Sequence, residues 1–223
     1  MRRLHEQLMD AVVVENLETV KRLVKQGADI HADDENALRL AAENGRLDIV
    51  KYLVGQGADI HAQDDRALRW AAEEGHLDIV KFLVDQGADI HFVRDCILRW
   101  AAGNGQLDIV KYLVGQGADI HAQDDMALRW AAENGHLDIV KFLVEKGADI
   151  HARNEEPLER AAEEGCIEVV QFLVERGCPI DIAKEYGTDA VQDFCKAYEL
   201  RKMLGAKLES PSLAKTSKTK LKI

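Results

Sequence analysis

The sequence predicts an all-α solenoid of stacked helix-turn-helix units, and three observations carry that reading. Gly-Ala-Asp falls at Gly27, Gly57, Gly87, Gly117 and Gly147, a fixed step of 30 residues, with a weaker Gly-Cys-Pro at Gly177. A constant period of this size marks repeated units that bury their apolar faces by stacking on one another. Within the unit from Arg66 to Ile90, Leu68, Ala71 and Ala72 stand at i, i+3 and i+4, so a helix starting near Ala67 puts them on one face. Gly75 then supplies a residue able to turn left-handed past a helix end, and Leu77 to Val84 makes a second helix closed by Gly87. These are helix A and helix B of each unit.

Residues 1–30 read as a degenerate capping unit, with Leu8, Ala11, Val12, Leu17, Val20 and Leu23 in the core positions. Arg2, Arg3, Glu6 and Gln7 suit the solvated outer side that a cap needs. Val13 and Val14 hold places that are Glu43 and Asn44 in the next unit; they either pack under the N-terminal segment or extend a binding surface. Five full units span 31–180. Those beginning at residues 61 and 121 differ only at Arg66/Met126, Glu74/Asn134, Asp85/Glu145 and Gln86/Lys146, which reads as recent duplication. Helix B is apolar on most sides through Leu77, Ile79, Val80, Phe82, Leu83 and Val84, and is expected to lie sandwiched between neighbouring units. Residues 181–204 read as a C-terminal cap whose helix, from Thr188 to Leu204, carries Val191, Phe194 and Tyr198 on one stripe. Residues 205–223, rich in Lys, Ser and Thr, read as a disordered basic tail. That tail is either solvated, docked on the body, or regulated by phosphorylation at Ser210 before Pro211.

The frame LxxAAxxGHLDIVxxLVxxGAD, two helices about a glycine turn, resembles an ankyrin repeat over roughly residues 1–180. The resemblance implies a concave groove lined by helix A where protein partners dock. Two departures matter. The family period is 33 residues, and the three missing here come out of the loop before helix A, so the projecting finger should be short. The TPLH signature reads RALR at Arg66 to Arg69, and only Pro157 keeps the proline suited to a first helical turn. Thirty-residue units of this kind also resemble the arrays that giant DNA viruses encode in large families, which would place the protein in host cytoplasm.

The net charge of -11 is uneven, because residues 205–223 hold five lysines and one glutamate and leave the body more acidic still. An acidic surface argues against nucleic-acid binding and favours a basic or amphipathic protein partner. Cys96, Cys166, Cys178 and Cys195 show no CxxC spacing, which fits a reducing compartment. No apolar run reaches membrane-spanning length and MRRLHEQLMD lacks a signal-peptide core, so a cytoplasmic monomer with no membrane association is expected.

On helix A, Trp70 lies about 200° round from Leu68 and is excluded from the core face. The same position holds Trp100 and Trp130, so all three tryptophans form one line, flanked by Arg69, Arg99 and Arg129 and by Glu73, Glu74 and Glu133. Aromatic anchors with charged rims resemble an interface centre; alternatively each indole lies over its neighbour's helix A. In the middle unit HAQDD becomes HFVRD, so Phe92, Val93, Arg94 and Ile97 form either a specificity patch beside Trp100 or a repacked loop. Gly103, where the units on either side carry Glu73 and Glu133, leaves room for close approach.

His31, His61, His91, His121 and His151 repeat after each GADI. They are expected to hydrogen-bond along the loop ladder. Ligands in a line do not converge on a tetrahedral ion, so no metal is expected. If they were buried and neutral, stability would fall below about pH 6. Asp64 with Asp65, and Asp124 with Asp125, are expected to cap helix A and to steer a basic partner. No nucleophile-plus-base set, phosphate-binding loop or cofactor site is legible, so the chain reads as a binding module that occludes or scaffolds. The alternatives are an adaptor that recruits other machinery, such as a ubiquitin ligase, through its C-terminal segment, and a self-assembling array.

Overall fold

In the computed structural model the backbone of residues 2–209 is described, with the side chains of residues 4–91 and 96–205. Among the described residues there are fourteen helices and no strand. They follow as pairs: α1 (Arg2–Val13) and α2 (Leu17–Lys25), α3 (Ala32–Glu43) and α4 (Leu47–Gly55), α5 (Ala62–Glu73) and α6 (Leu77–Asp85), α7 (Phe92–Gly103) and α8 (Leu107–Gly115). The series continues with α9 (Ala122–Glu133) and α10 (Leu137–Glu145), α11 (Ala152–Glu163) and α12 (Ile167–Glu175), and α13 (Ile180–Tyr186) and α14 (Asp189–Glu209).

Small residues set the stacking. Leu68, Ala71 and Ala72 are fully buried, and the alanine pair lets helix A approach the next helix A closely. Successive B helices meet less closely, so the stack curves toward its A side. On helix B, Ile79, Val80 and Leu83 are fully buried, but Leu77, Phe82 and Val84 are only half-buried. One face of helix B is therefore sandwiched and the other only partly covered, which corrects the expectation of apolar packing on most sides.

The bounds of α3, α5, α9 and α11 each include a left-handed turn near the start, and the regular part of helix A begins after it. Asp33–Glu35, Gln63–Asp65, Gln123–Asp125 and Arg153–Glu155 all have φ between 50° and 70°. Three consecutive non-glycine residues in this conformation are costly, at roughly 1–2 kcal/mol each. Side chains hold the turn in place. The Asp of each Gly-Ala-Asp accepts from the backbone N–H of the following His, at 2.9 Å for Asp59 and His61. The His donates through Nδ1 to the carboxylate four residues on: His31 to Glu35 at 2.5 Å, His61 to Asp65 at 3.0 Å, His121 to Asp125 at 3.0 Å and His151 to Glu155 at 2.7 Å.

Two expectations are corrected here. The histidine bonds stay within a unit instead of running along a ladder, and the side chains of His31, His61 and His121 are 56% exposed, so they are not buried neutral groups. Glu35 raises the imidazole of His31 through their hydrogen bond and its charge. The acidic pairs divide as well. Asp64 and Asp124 are exposed, while Asp65 and Asp125 are buried acceptors for the histidines. Asp125 Oδ1 also accepts from the backbone N–H of Asp149, in the Gly-Ala-Asp that closes the same unit, at 3.0 Å, so it ties the two ends of the unit together where a helix cap was expected.

The ends differ from their expected form. Leu8, Ala11, Val12, Val20 and Leu23 are buried between α1, α2 and the next unit, but Val13 and Val14 are 43% and 69% exposed, so they do not pack under the N-terminal segment. The C-terminal segment holds two helices where one was expected, and α14 runs on to Glu209, past the predicted start of the tail at 205. Residues 210–223, with Ser210 and Pro211, lie outside the described residues. No helix of the described residues is long and apolar enough to cross a membrane.

Candidate protein-binding site

Trp70, Trp100 and Trp130 are all half-buried on the A face, and they do not form a uniform ladder. Trp100 and Trp130 meet edge to face, with ring centroids 5.2 Å apart and planes at 78°. Trp130 leans back over the preceding unit, where a Cβ on Gly103 would come within 3.1 Å of its ring carbon Cε3. Glycine at 103 therefore admits the indole. Trp70 has charged neighbours: the guanidinium carbons of Arg66 and Arg39 lie 5.0 and 5.6 Å from its ring centroid. Between Trp100 and Trp130 opens a groove of about 460 Å³, lined by Gly103, Asn104, Glu133, Asn134 and Arg160 as well as the two indoles. Trp70 is not part of it.

The arginines expected at the rim have another task. Arg129 is fully buried. It donates to the carbonyls of Gln123 at 2.8 Å and Asp124 at 3.1 Å, satisfying the left-handed turn of its own unit, and to Glu156 of the next unit at 2.7 Å. Arg39 does the same for the Asp33 carbonyl at 2.9 Å and reaches Gln63 of the next unit at 2.6 Å. Arg99 is half-buried, bonds Gln123 at 2.7 Å and lies 5.9 Å from the Trp130 ring centroid. Arg69 is half-buried. The position that is His in TPLH thus holds the turn and its neighbour, and Arg129 is no rim charge.

Glu133 remains on the groove edge, accepting from Arg160 at 2.6 Å. Arg160 also donates to Glu156 at 2.6 Å. Burial pushes the Glu156 carboxyl up, but the hydrogen bond from Arg160 and the charges of Arg129 and Arg160 outweigh it and hold the group below its usual value. Glu73 is half-buried and Glu74 exposed on the corresponding edge of α5. Of the expected middle-unit patch, Ile97 is buried at 1% exposure and belongs to the core, while the side chains of Phe92, Val93 and Arg94 lie outside the described residues.

One inter-unit contact escaped the sequence reading. His76 Nε2 donates to the carbonyl of Glu43 at 2.9 Å and His136 Nε2 to that of Gly103 at 3.0 Å, each closing the end of the preceding helix A. Gly45 is needed for this as well as for its turn, since a Cβ there would sit 2.6 Å from His76 Cε1. The recurring GHLDIV frame was the available signal.

Glycine-turned helix pairs stacked in register, with aromatic and charged side chains along one helix row, define a helical repeat protein. The family model described as ankyrin repeats (3 copies) matches residues 8–93 and 98–184, and the chain belongs to that family, whose members are generally protein-protein interaction modules. No curated protein matches the chain.

Proposed function

We propose that the chain binds a protein partner on its helix-A face, with the groove between Trp100 and Trp130 as the centre and Trp70 as an outlying contact. The observation that carries this is the open groove of about 460 Å³ flanked by two indoles and edged by Glu133 and Arg160. Half-buried aromatic side chains beside a polar edge are the composition of interface centres. An apolar side chain of the partner would enter beside the indoles, and the acidic body favours a basic or amphipathic segment around it. Binding would act by occlusion or by scaffolding. Four cysteines without CxxC spacing suit a cytoplasmic setting, and the 30-residue period supports kinship with the viral arrays that the units resemble.

The test compares capture of partners from lysate by the wild-type chain and by a Trp70→Ala, Trp100→Ala, Trp130→Ala variant shown to be helical by circular dichroism. A captured protein should be lost, and for that partner the Trp100→Ala change alone should cost about 2 kcal/mol or more of affinity. Capture that is unchanged in the folded triple variant would sink the reading.

One observation favours a second reading, the adaptor. On α14, Leu200, Met203 and Leu204 are 59%, 57% and 53% exposed, an apolar stripe available to other machinery. Deleting residues 205–223 and changing these three to Ser should abolish an adaptor's effect while leaving groove capture intact.

A further inference from the structure

We propose that His151, Glu155 and Cys178 form a site for a single zinc-class divalent cation at the junction of the last full unit and the C-terminal cap. Their ligand atoms, the imidazole Nδ1, a carboxylate oxygen and Sγ, already lie within 4.8 Å of one another. Imidazole, carboxylate and thiolate together select zinc or a chemically similar ion over magnesium or calcium.

The array's own pattern shows how the site arises. In the units beginning at residues 61 and 121 the turn pairs a His with a carboxylate, and the Gly-Ala-Asp that closes the unit abuts that pair. Asp125 takes a backbone N–H from Asp149, and Asp65 takes one from Asp89. At the last junction Gly-Ala-Asp becomes Gly-Cys-Pro, and two changes act together. Pro179 stands where Asp149 stands and has no N–H to give, and Glu155 Oε2 is buried without a hydrogen-bond partner. Cys178 replaces the buried alanine of Ala28, Ala58, Ala88, Ala118 and Ala148, bringing a thiol beside that oxygen. Glu35 also leaves its Oε2 unpaired, but the residue in the corresponding place there is Ala58, which offers no ligand.

The histidine row does not converge on an ion by itself; the third ligand comes from the Gly-Cys-Pro that closes the same unit. Burial and the nearby Glu155 push the Cys178 thiol up to about 12, so it is protonated and inert in the free protein. A cation would displace that proton to solvent and bind the thiolate; with the imidazole proton moved from Nδ1 to the solvent-facing Nε2, the His151–Glu155 hydrogen bond would give way to two coordinate bonds. Because His151 is exposed, a fourth position is left for water.

The test uses Co²⁺ and Zn²⁺ themselves, titrated into the full chain under reducing conditions. One equivalent of Co²⁺ should give thiolate-to-cobalt charge-transfer absorption in the near ultraviolet, and Zn²⁺ should bleach it. Cys178→Ala restores the residue used at five other junctions, so it should fold. It should abolish the band and weaken Zn²⁺ binding at least tenfold by calorimetry. His151→Asn, which alters an exposed side chain, should weaken Zn²⁺ binding to a similar degree and serves if Cys178→Ala does not fold. Absence of the band in the wild type overturns the proposal. So does a band that survives in folded Cys178→Ala, or Zn²⁺ affinity unchanged in His151→Asn.

Discussion

Trp70 and Trp130 occupy the same position in two units that differ at only four residues, and their surroundings are unlike. Each has the preceding unit's arginine by its ring, Arg39 or Arg99, but Trp70 adds the guanidinium group of Arg66, whereas Trp130 meets the edge of Trp100 and leans over Gly103. Of these neighbours only Arg66 belongs to the four differing residues. The rest come from the preceding unit, which offers Leu40 and Glu43 in one case and Trp100 and Gly103 in the other. In a stack, a residue's environment is therefore written largely in the unit beside it. A duplicated unit can acquire a new surface while its own sequence stays nearly unchanged.

The same comparison holds for the arginines one position earlier, and there the energetic consequence is largest. Arg129 is buried against Glu156, while Cys96 holds the matching place after Arg69. Removing Arg129 takes one arginine from Glu156, which keeps Arg160, and leaves two buried turn carbonyls without their donor, at about 1–3 kcal/mol each. Arg129→Ala should cost about 3–5 kcal/mol in urea unfolding. Arg69→Ala should cost about 1 kcal/mol, the scale of an ordinary hydrogen bond. Equal losses at the two sites would break the argument that the following unit decides.

Acid should separate the two ends of the array by a smaller margin. The Glu156 carboxyl lies below its ordinary value of 4.5, so its contribution is fully present above that value and is lost as pH falls through the depressed one. His31 runs the other way. Its imidazole is raised above 6.5 by Glu35, so the stabilisation is fully present below 6.5 and is lost as pH rises through the raised value. In urea midpoints measured against pH, Glu156→Gln should flatten the acid limb and His31→Asn the limb just above 6.5. The original expectation of histidine-driven loss below about pH 6 has its sign reversed at His31, because that residue is exposed and paired with a carboxylate.

Much of the fold was legible because it depends on local rules. The period, the alanine pair at i+3 and i+4 from a leucine, and Gly75 and Gly87 at φ of +88° and +102° are features of one unit read alone. The left-handed turns were not legible. Gln63, Asp64 and Asp65 include no glycine to signal positive φ, and the turn is held by Asp59 and His61, as the turns at 33–35 and 123–125 are held in addition by Arg39 and Arg129 of helix A. The roles of Arg129, His76 and Trp130 were hidden for a related reason. Their partners lie 27 or 33 residues away, so only the register between stacked units brings them together. Cys178 illustrates the point most plainly: its departure from the alanine pattern was visible, but the His and Glu beside it stand at the opposite end of the unit, and only the fold brings them to the thiol.

If the neighbour dictates the surface, the Trp130 environment should be portable. Leu40→Trp with Glu43→Gly gives Trp70 the preceding residues that Trp130 has, an indole at the edge and a glycine beneath. The cost should be modest, about 1 kcal/mol from placing glycine near the end of helix A, and the main readout is optical. Two indoles held edge to face at about the 5.2 Å seen for Trp100 and Trp130 couple their transitions, so the ellipticity should gain a second exciton contribution resembling the first. A Trp70→Phe change in the doubled variant should remove it and leave the native pair's signal intact. If no new coupling appears while the protein stays folded, Arg66, which stands where Met126 stands in the other copy, is what holds Trp70 in place. Arg66→Met added to the same variant would then release it, assigning the difference to the unit's own residue.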